Sequence, residues 1–384
     1  MADQAHAVQI GSYGPPEVLE YRPVPLLPLR HGEVRIKTIA AAVNHTDLKI
    51  RAGLWPIRRP DPFPYVPGVE VVGEVSEVGA GVRELMLGDR VITMMHGMGG
   101  VLSDRPGGYA THITVAESAA ARLLGNADPY AMAALGLAAV TAYEGLRRLG
   151  DLAGHRILVI GAAGGVGSVA VTIAKLRGAR VVGLVSSAAQ LEAARTAGAE
   201  AVVQSDENGG FDPRMAGELD GVLDTVGANT FPASLAAMKP EGVFCLVGAV
   251  SGGQVRFDLW DLIRPVTLTG YSTENMTGPD LRNVIGALGQ WLSSGLLTVP
   301  AWTRIPLHEA ARAHKAIEDG SVRGRSRMRC GLRRPGHHLS ATPTPRAGRF
   351  GRLTGTLQRS ARGVGPVDQK IVALDVPGRP HRHR

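Results

Sequence analysis

The stretch Arg156–Val185 constrains the fold more than any other part of the chain. An apolar run, Ile157-Leu-Val-Ile160, feeds into Gly161-Ala-Ala-Gly-Gly-Val-Gly167. Apolar residues at helical spacing continue to Arg177, and a second apolar run follows at Arg180–Val185. Strand, glycine turn, helix and strand within about 30 residues make a βαβ unit. Gly161, Gly164, Gly165 and Gly167, with Val166 among them, let the backbone turn sharply and approach a ligand with no Cβ in the way. The helix that begins there offers free N–H groups and the positive end of its dipole. Such a place suits a pyrophosphate, so the segment is expected to bind a dinucleotide.

The end of the second strand bears on which dinucleotide. An acidic residue there would hold a ribose 2′-hydroxyl. Ser186 and Ser187 stand in that place, and the next carboxylate is Glu192. A site without that negative charge tolerates a 2′-phosphate, which favours NADP, used as NADPH. Arg177, Arg180 and Arg195 are candidate partners for the phosphate.

The rest of the chain falls into place around this unit. Residues 6–125 read as mainly β, with apolar runs at Glu33–Ile39, Val69–Val78, Arg90–Met94 and Ala110–Val115 separated by Gly, Pro and Asp. Residues Tyr130–Leu149 are apolar at helical spacing. Further strands are expected at Ala201–Val203, Gly221–Val226, Val243–Val247 and Val266–Thr269, with helices between several of them. Strands alternating with helices argue for an α/β class and a doubly wound parallel sheet. Beyond 270, Asp280–Ser294 and Leu307–Asp319 look helical.

The formal net charge of +8 is concentrated at one end. Residues 331–384 hold 11 Lys/Arg against 2 Asp/Glu, leaving 31 against 32 for the remainder. A near-neutral body thus carries a basic tail, too poor in apolar residues to offset chain entropy and expected to be disordered. Nucleic-acid binding is therefore unlikely, and is conceivable only through that tail. Two cysteines, Cys245 and Cys330, exclude a disulfide scaffold or a cysteine-rich zinc site. No signal peptide or membrane span is legible, which makes the cytoplasm the default location.

Several motifs, taken in order, resemble the medium-chain dehydrogenase/reductase superfamily, in its zinc-free, zeta-crystallin-like quinone oxidoreductase branch. They are Ala42-Val-Asn-His-Thr-Asp-Leu-Lys-Ile-Arg-Ala-Gly53, Pro67-Gly-Val-Glu-Val-Val-Gly73, Gly88-Asp-Arg-Val91, Gly108-Tyr-Ala110, Thr141-Ala-Tyr143, the glycine turn, Asp224-Thr-Val-Gly227 and Gly248. The resemblance covers roughly residues 7–325. It implies a GroES-like β-rich catalytic domain in residues 1–125, a Rossmann domain in 126–270, and a C-terminal part in 271–330 that completes the catalytic domain, with 331–384 as the tail. It also implies a homodimer or larger homo-oligomer joined through sheet edges.

The same resemblance points to chemistry. Zinc-dependent relatives carry Cys and His where this chain has Asn44 and Val69, so no metal is expected. Asn44 and Thr141 are placed beside the nicotinamide as donors to the acceptor oxygen, and Lys49 as a proton source or acceptor-binding group. Trp55 is a candidate substrate wall. Gly248, and Arg325 in Val322-Arg-Gly-Arg325, join the cofactor-binding set. After Arg325 the apolar strand expected to close the barrel gives way to Ser326-Arg-Met-Arg-Cys-Gly331, so the barrel is expected to lack that edge. The implied activity is hydride transfer from NADPH to a small quinone or α,β-unsaturated carbonyl. The alternatives are an enoyl-thioester reductase of lipid or polyketide pathways and a non-catalytic NADPH-binding protein.

Overall fold

The computed structural model describes residues 5–55, 63–95, 105–123, 125, 127–299, 302–320 and 371–375. The chain opens with β1 (Ala5–Gln9) and β2 (Glu20–Val24), an antiparallel pair. The barrel follows: β3 (Glu33–Val43), the short helix α1 (His45–Arg51), β4 (Glu70–Val78), β5 (Arg90–Met94), β6 (His112–Ala116) and β7 (Ala120–Arg122). β3 is the spine of this sheet. It pairs antiparallel with β4 and with β6, and its residues are buried along almost the whole length. That is why its sequence is nearly continuously apolar after Lys37 rather than alternating.

The long helix α2 (Pro129–Arg147) leads out of the barrel. Then come β8 (Arg156–Ile160), α3 (Gly165–Leu176), β9 (Arg180–Val185), α4 (Leu191–Ala197), β10 (Ala201–Gln204), α5 (Pro213–Ala216), β11 (Leu219–Asp224), α6 (Thr230–Ala236), β12 (Met238–Leu246) and β13 (Thr267–Gly270). Six parallel strands lie in the order β10-β9-β8-β11-β12-β13. Both faces of the sheet are apolar. Ile157, Val159 and Val181 pack with residues of α2, α3 and α4, while Leu158, Ile160 and Val182 pack with residues of α5 and α6. The chain reverses between β8 and β11, and that switch point opens a crevice at the carboxyl ends of the strands.

The last elements return to the barrel. They are α7 (Gly278–Ser293), β14 (Trp302–Pro306), α8 (Ala310–Glu318) and β15 (Ile371–Asp375). Ile305, Leu307, Ala313, Ile317 and Leu374 share a core with Val34, Val71, Val91, Tyr109 and Val115. Both ends of the chain therefore build one barrel.

β15 corrects the sequence reading of the tail. That reading put all of 331–384 in a disordered extension and left the barrel without a closing strand. Instead, β15 runs parallel to β14 and antiparallel to Ala40–Val43 of β3, and Leu374 is fully buried. An open β3 edge presents N–H and C=O groups that demand partners. Loop closure costs grow only logarithmically with length, so the 50 residues between Gly320 and Ile371 do not prevent the pairing. Cys330 and the remaining tail positions lie outside the described residues.

Candidate active site

A cleft of about 930 Å³ lies between barrel and doubly wound sheet. Its floor is the carboxyl ends of four strands: Ile160 and Gly161 from β8, Leu184 to Ser186 from β9, Ser205 to Gly209 beyond β10, and Thr225 to Thr230 beyond β11. Val250 and Ser251 follow β12. The barrel contributes His45, Leu48, Lys49 and Ala52 from α1 and its end, and Ile317 and Glu318 from α8.

The glycine turn fits a pyrophosphate. Gly161 has φ +75°, and a Cβ on it would crowd Thr225 Oγ1 at 2.5 Å. A Cβ on Gly167 would run into the Gly161 carbonyl oxygen, so α3 can approach β8 this closely only with glycine there. Gly164 is the N-cap of α3 and has no side chain to cap it. The first N–H groups of the helix, in Gly165, Val166 and Gly167, thus lack intrahelical partners and are available to an anion. Gly248 packs against the next turn, with its absent Cβ 2.7 Å from the Thr225 carbonyl. That turn is shaped by buried Asp224, which accepts the N–H groups of Val226 and Gly227 at 2.7 and 2.9 Å. Burial raises its carboxyl above the ordinary range despite those bonds.

Ser186 lines the cleft, and Ser187 follows it. The Ser186 N–H and hydroxyl both donate to Gln190 Oε1, at 3.0 and 2.9 Å. The proposed arginine partners are placed otherwise. Arg180 opens β9 at the end remote from Ser186 and pairs with Glu200, and Arg177 donates to the Gly150 carbonyl beyond the far end of α3. Arg195 sits exposed on α4 and does not line the cleft. Arg325 lies outside the described residues.

On the barrel side the structure separates residues that the sequence reading grouped. Lys49 lines the cleft, and its Nζ reaches across to the Ala249 carbonyl at 3.3 Å. Asn44 and Thr141 are not among the lining residues. Asn44 donates from Nδ2 to Glu70 Oε1 at 2.8 Å, and its backbone N–H donates to Asp47 Oδ2 at 2.8 Å. Thr141 is buried within α2. Trp55 packs against the main core rather than walling the cleft. His45, missed as a cleft residue, lies one turn before Lys49 on the same face of α1. The spacing i, i+4 was the available signal. Burial, then the Lys49 charge, lowers the His45 pKa and so favours the neutral imidazole.

Beneath this face is a buried polar network. The other Glu70 oxygen accepts the Leu137 N–H at 2.7 Å, where α2 kinks at Gly136. A side chain at Gly136 would collide with that carboxylate. Asp47 accepts the Val69 N–H at 3.0 Å and is hydrogen-bonded by Tyr109. Burial pushes both carboxyls up to about 7, against the pull of these bonds. The Tyr109 hydroxyl also meets His314 Nε2 at 3.0 Å. Arg51 links His314 to Glu318 at the cleft wall, the last contact being 2.5 Å.

These positions do not fit a zinc ion. Val69 is apolar and fully buried, and the Asn44 amide, a poor zinc ligand, is engaged through Nδ2 with Glu70. Among the described residues no three His, Cys, Asp or Glu side chains are grouped as a metal would need. Nor, among them, is any helix long and apolar enough to cross a membrane.

A GroES-like barrel joined to a doubly wound sheet, with the cleft at the switch point, defines a two-domain fold of the dehydrogenase and reductase type. Residues 30–124 match the alcohol dehydrogenase GroES-like domain, and residues 165–288 match the zinc-binding dehydrogenase family. Quinone oxidoreductase 1 of Escherichia coli (strain K12) is 30% identical over 344 residues, covering 84% of this chain and 98% of the relative. The NADPH-dependent alkenal/one oxidoreductase, chloroplastic, of Arabidopsis thaliana is 34% identical over 248 residues, 64% of this chain and 63% of that one. The crystal structure of Escherichia coli quinone oxidoreductase complexed with NADPH superposes with a TM-score of 0.70 at 28% identity, covering 82% of this chain and 96% of the other. The chain belongs to the medium-chain dehydrogenase/reductase superfamily, in its quinone oxidoreductase branch.

Proposed function

We propose that this protein is an NADPH-dependent oxidoreductase that reduces small quinones and α,β-unsaturated carbonyls without a metal. The observation that carries the reading is the single cleft joining the uncapped, glycine-lined start of α3 to the His45–Lys49 face of α1. The relatives' names, quinone oxidoreductase and NADPH-dependent alkenal/one oxidoreductase, support the same acceptors and cofactor.

NADPH supplies two electrons and a hydrogen to the acceptor when bound. Gly161, Gly164, Gly165, Val166 and Gly167 would hold its pyrophosphate, and Ser186 and Ser187 would face the 2′-phosphate end. Gly248 and Arg325 complete the set. The protein's remaining task is to stabilise charge on the acceptor oxygen and to provide a proton. Neutral His45 is positioned at the cleft for both roles, and Lys49 beside it to bind the acceptor. Asn44 acts behind them by holding Glu70 at the base of α1, and Thr141 contributes from within α2. Conjugation spreads the developing charge, so hydrogen-bond donors suffice where a saturated ketone would need a Lewis acid. The acceptor is a small molecule.

The working unit is proposed to be a cytoplasmic homodimer paired along β13. That strand is one of the two edges of the six-stranded sheet, and Leu259, Trp260, Ile263 and Leu268 are exposed on or beside it.

The test is NADPH oxidation, followed by absorbance, with chelator-treated protein and an ortho-quinone or an enone as acceptor. Acceptor-dependent oxidation that survives chelation is expected. NADPH binding without oxidation by either acceptor would overturn the reading in favour of a thioester reductase or a non-catalytic role.

A further inference from the structure

We infer that Lys49 makes this cleft selective for acceptors that carry a carboxylate. The inference rests on the reductase reading and names the acceptor class within it.

Among the described residues lining the cleft, Lys49 is the sole lysine, and there is no arginine. Among the described residues its ammonium has no carboxylate partner. The nearby ion pair of Arg51 with Glu318 leaves it out, and its one hydrogen bond is to the neutral Ala249 carbonyl. An ammonium has three donors, so two remain to face a ligand.

The nearby acid is already neutralised. Glu318 shares the cleft wall, but Arg51 holds it at 2.5 Å and is itself fixed by the Gly14 carbonyl and His314. Asp206 and Glu207 belong to the opposite end. They follow β10, which is four strand positions from β12, the strand leading to Ala249. At ~4.8 Å per strand that is roughly 19 Å away. Asp206 also spends one oxygen on the N–H groups of Asn208 and Gly210.

Around Lys49 the cleft walls are apolar, formed by Leu48, Ala52, Val250 and Ile317. Apolar walls reduce screening and strengthen a charge–charge contact relative to water. His45, held neutral, adds polarity without competing for the anion. The apolar walls suit the conjugated body of the acceptor, and Lys49 suits a carboxylate at its end.

The experiment compares 6-oxohept-4-enoate with its methyl ester, whose enone is insulated from the carboxyl by two methylenes. With NADPH, the wild-type acid-to-ester ratio of kcat/KM should be about ten or more at low salt and should fall as salt rises. Lys49→Met should bring the ratio near one whatever it does to the separate rates, and Lys49→Arg should keep it. A wild-type ratio of one, or a ratio retained in Lys49→Met, would overturn the assignment while ester turnover left the reductase reading intact. No oxidation with either compound would overturn both.

Discussion

Asn44 donates its side-chain amide to Glu70 at 2.8 Å, and the other Glu70 oxygen is spent on the Leu137 N–H at the kink of α2. One buried carboxyl thereby ties the start of α1 to the helix that carries Thr141. The contact links the substrate-side helix to the core.

Burial raises the Glu70 pKa to about 7, with Asp47 adding to the rise. A folded-state pKa above the unfolded one stabilises the fold below the unfolded value, and that stability is lost as pH rises through the folded value. Wild-type stability relative to Glu70→Gln should therefore fall between about pH 4.5 and pH 7, by on the order of 3 kcal/mol, and level off above. Urea denaturation of both proteins across that range checks it. A difference that is flat with pH would refute a perturbed Glu70.

Gly167→Ala places a methyl group against the Gly161 carbonyl. The helix must retreat from the turn, at a cost of about 1–3 kcal/mol in stability. NADPH affinity, measured by cofactor fluorescence, should weaken at least about tenfold. Unchanged binding would show that the turn does not hold the pyrophosphate.

Ser186→Asp puts a carboxylate where the chain leaves β9 for the cleft. It should raise KM for NADPH about tenfold and improve use of NADH, since a carboxylate repels a 2′-phosphate and accepts a 2′-hydroxyl. Steady-state rates with both cofactors decide it. Equal effects on the two would place the 2′ position elsewhere.

Truncation after Arg325 should be damaging, the reverse of what the basic composition of the tail suggests. It removes β15, bares the Ala40–Val43 edge and vacates the site of Leu374. Burial of that leucine alone is worth about 1.5–3 kcal/mol. A lower melting temperature and aggregation are expected in thermal unfolding, whereas cutting at Val376 should be tolerated. Identical melting of the truncated and full chains would remove β15 from the fold.

Leu268→Lys on the free edge of β13 should yield monomers if that edge joins two copies. Sedimentation velocity reads the outcome directly. A wild-type monomer would remove the proposed dimer.

The local signals were legible wherever one segment fixes its own conformation. The βαβ unit from Arg156 to Val185 was read from apolar runs and glycine spacing, because strand period and turn conformation are properties of adjacent residues. The motif around Asp224 was also visible, though its use of the carboxylate to fold the next turn was not. At the site, Lys49 is legible in the sequence but the place of His45 in the cleft is not, since burial and the approach of Ala249 depend on elements some 200 residues away in sequence.

By itself, then, the sequence determined the α/β class, the glycine cradle and the strands that make the two sheets. Tertiary structure decided which side chains face the cleft, sending Lys49 and His45 into it while engaging Asn44 with Glu70 behind it. It also decided that Ile371–Asp375, set in a basic tail, pairs with β14 and β3 in the barrel sheet. The reason is physical: backbone conformation follows from neighbours along the chain, whereas pairing partners, desolvation and the direction a side chain faces exist only once distant segments have met.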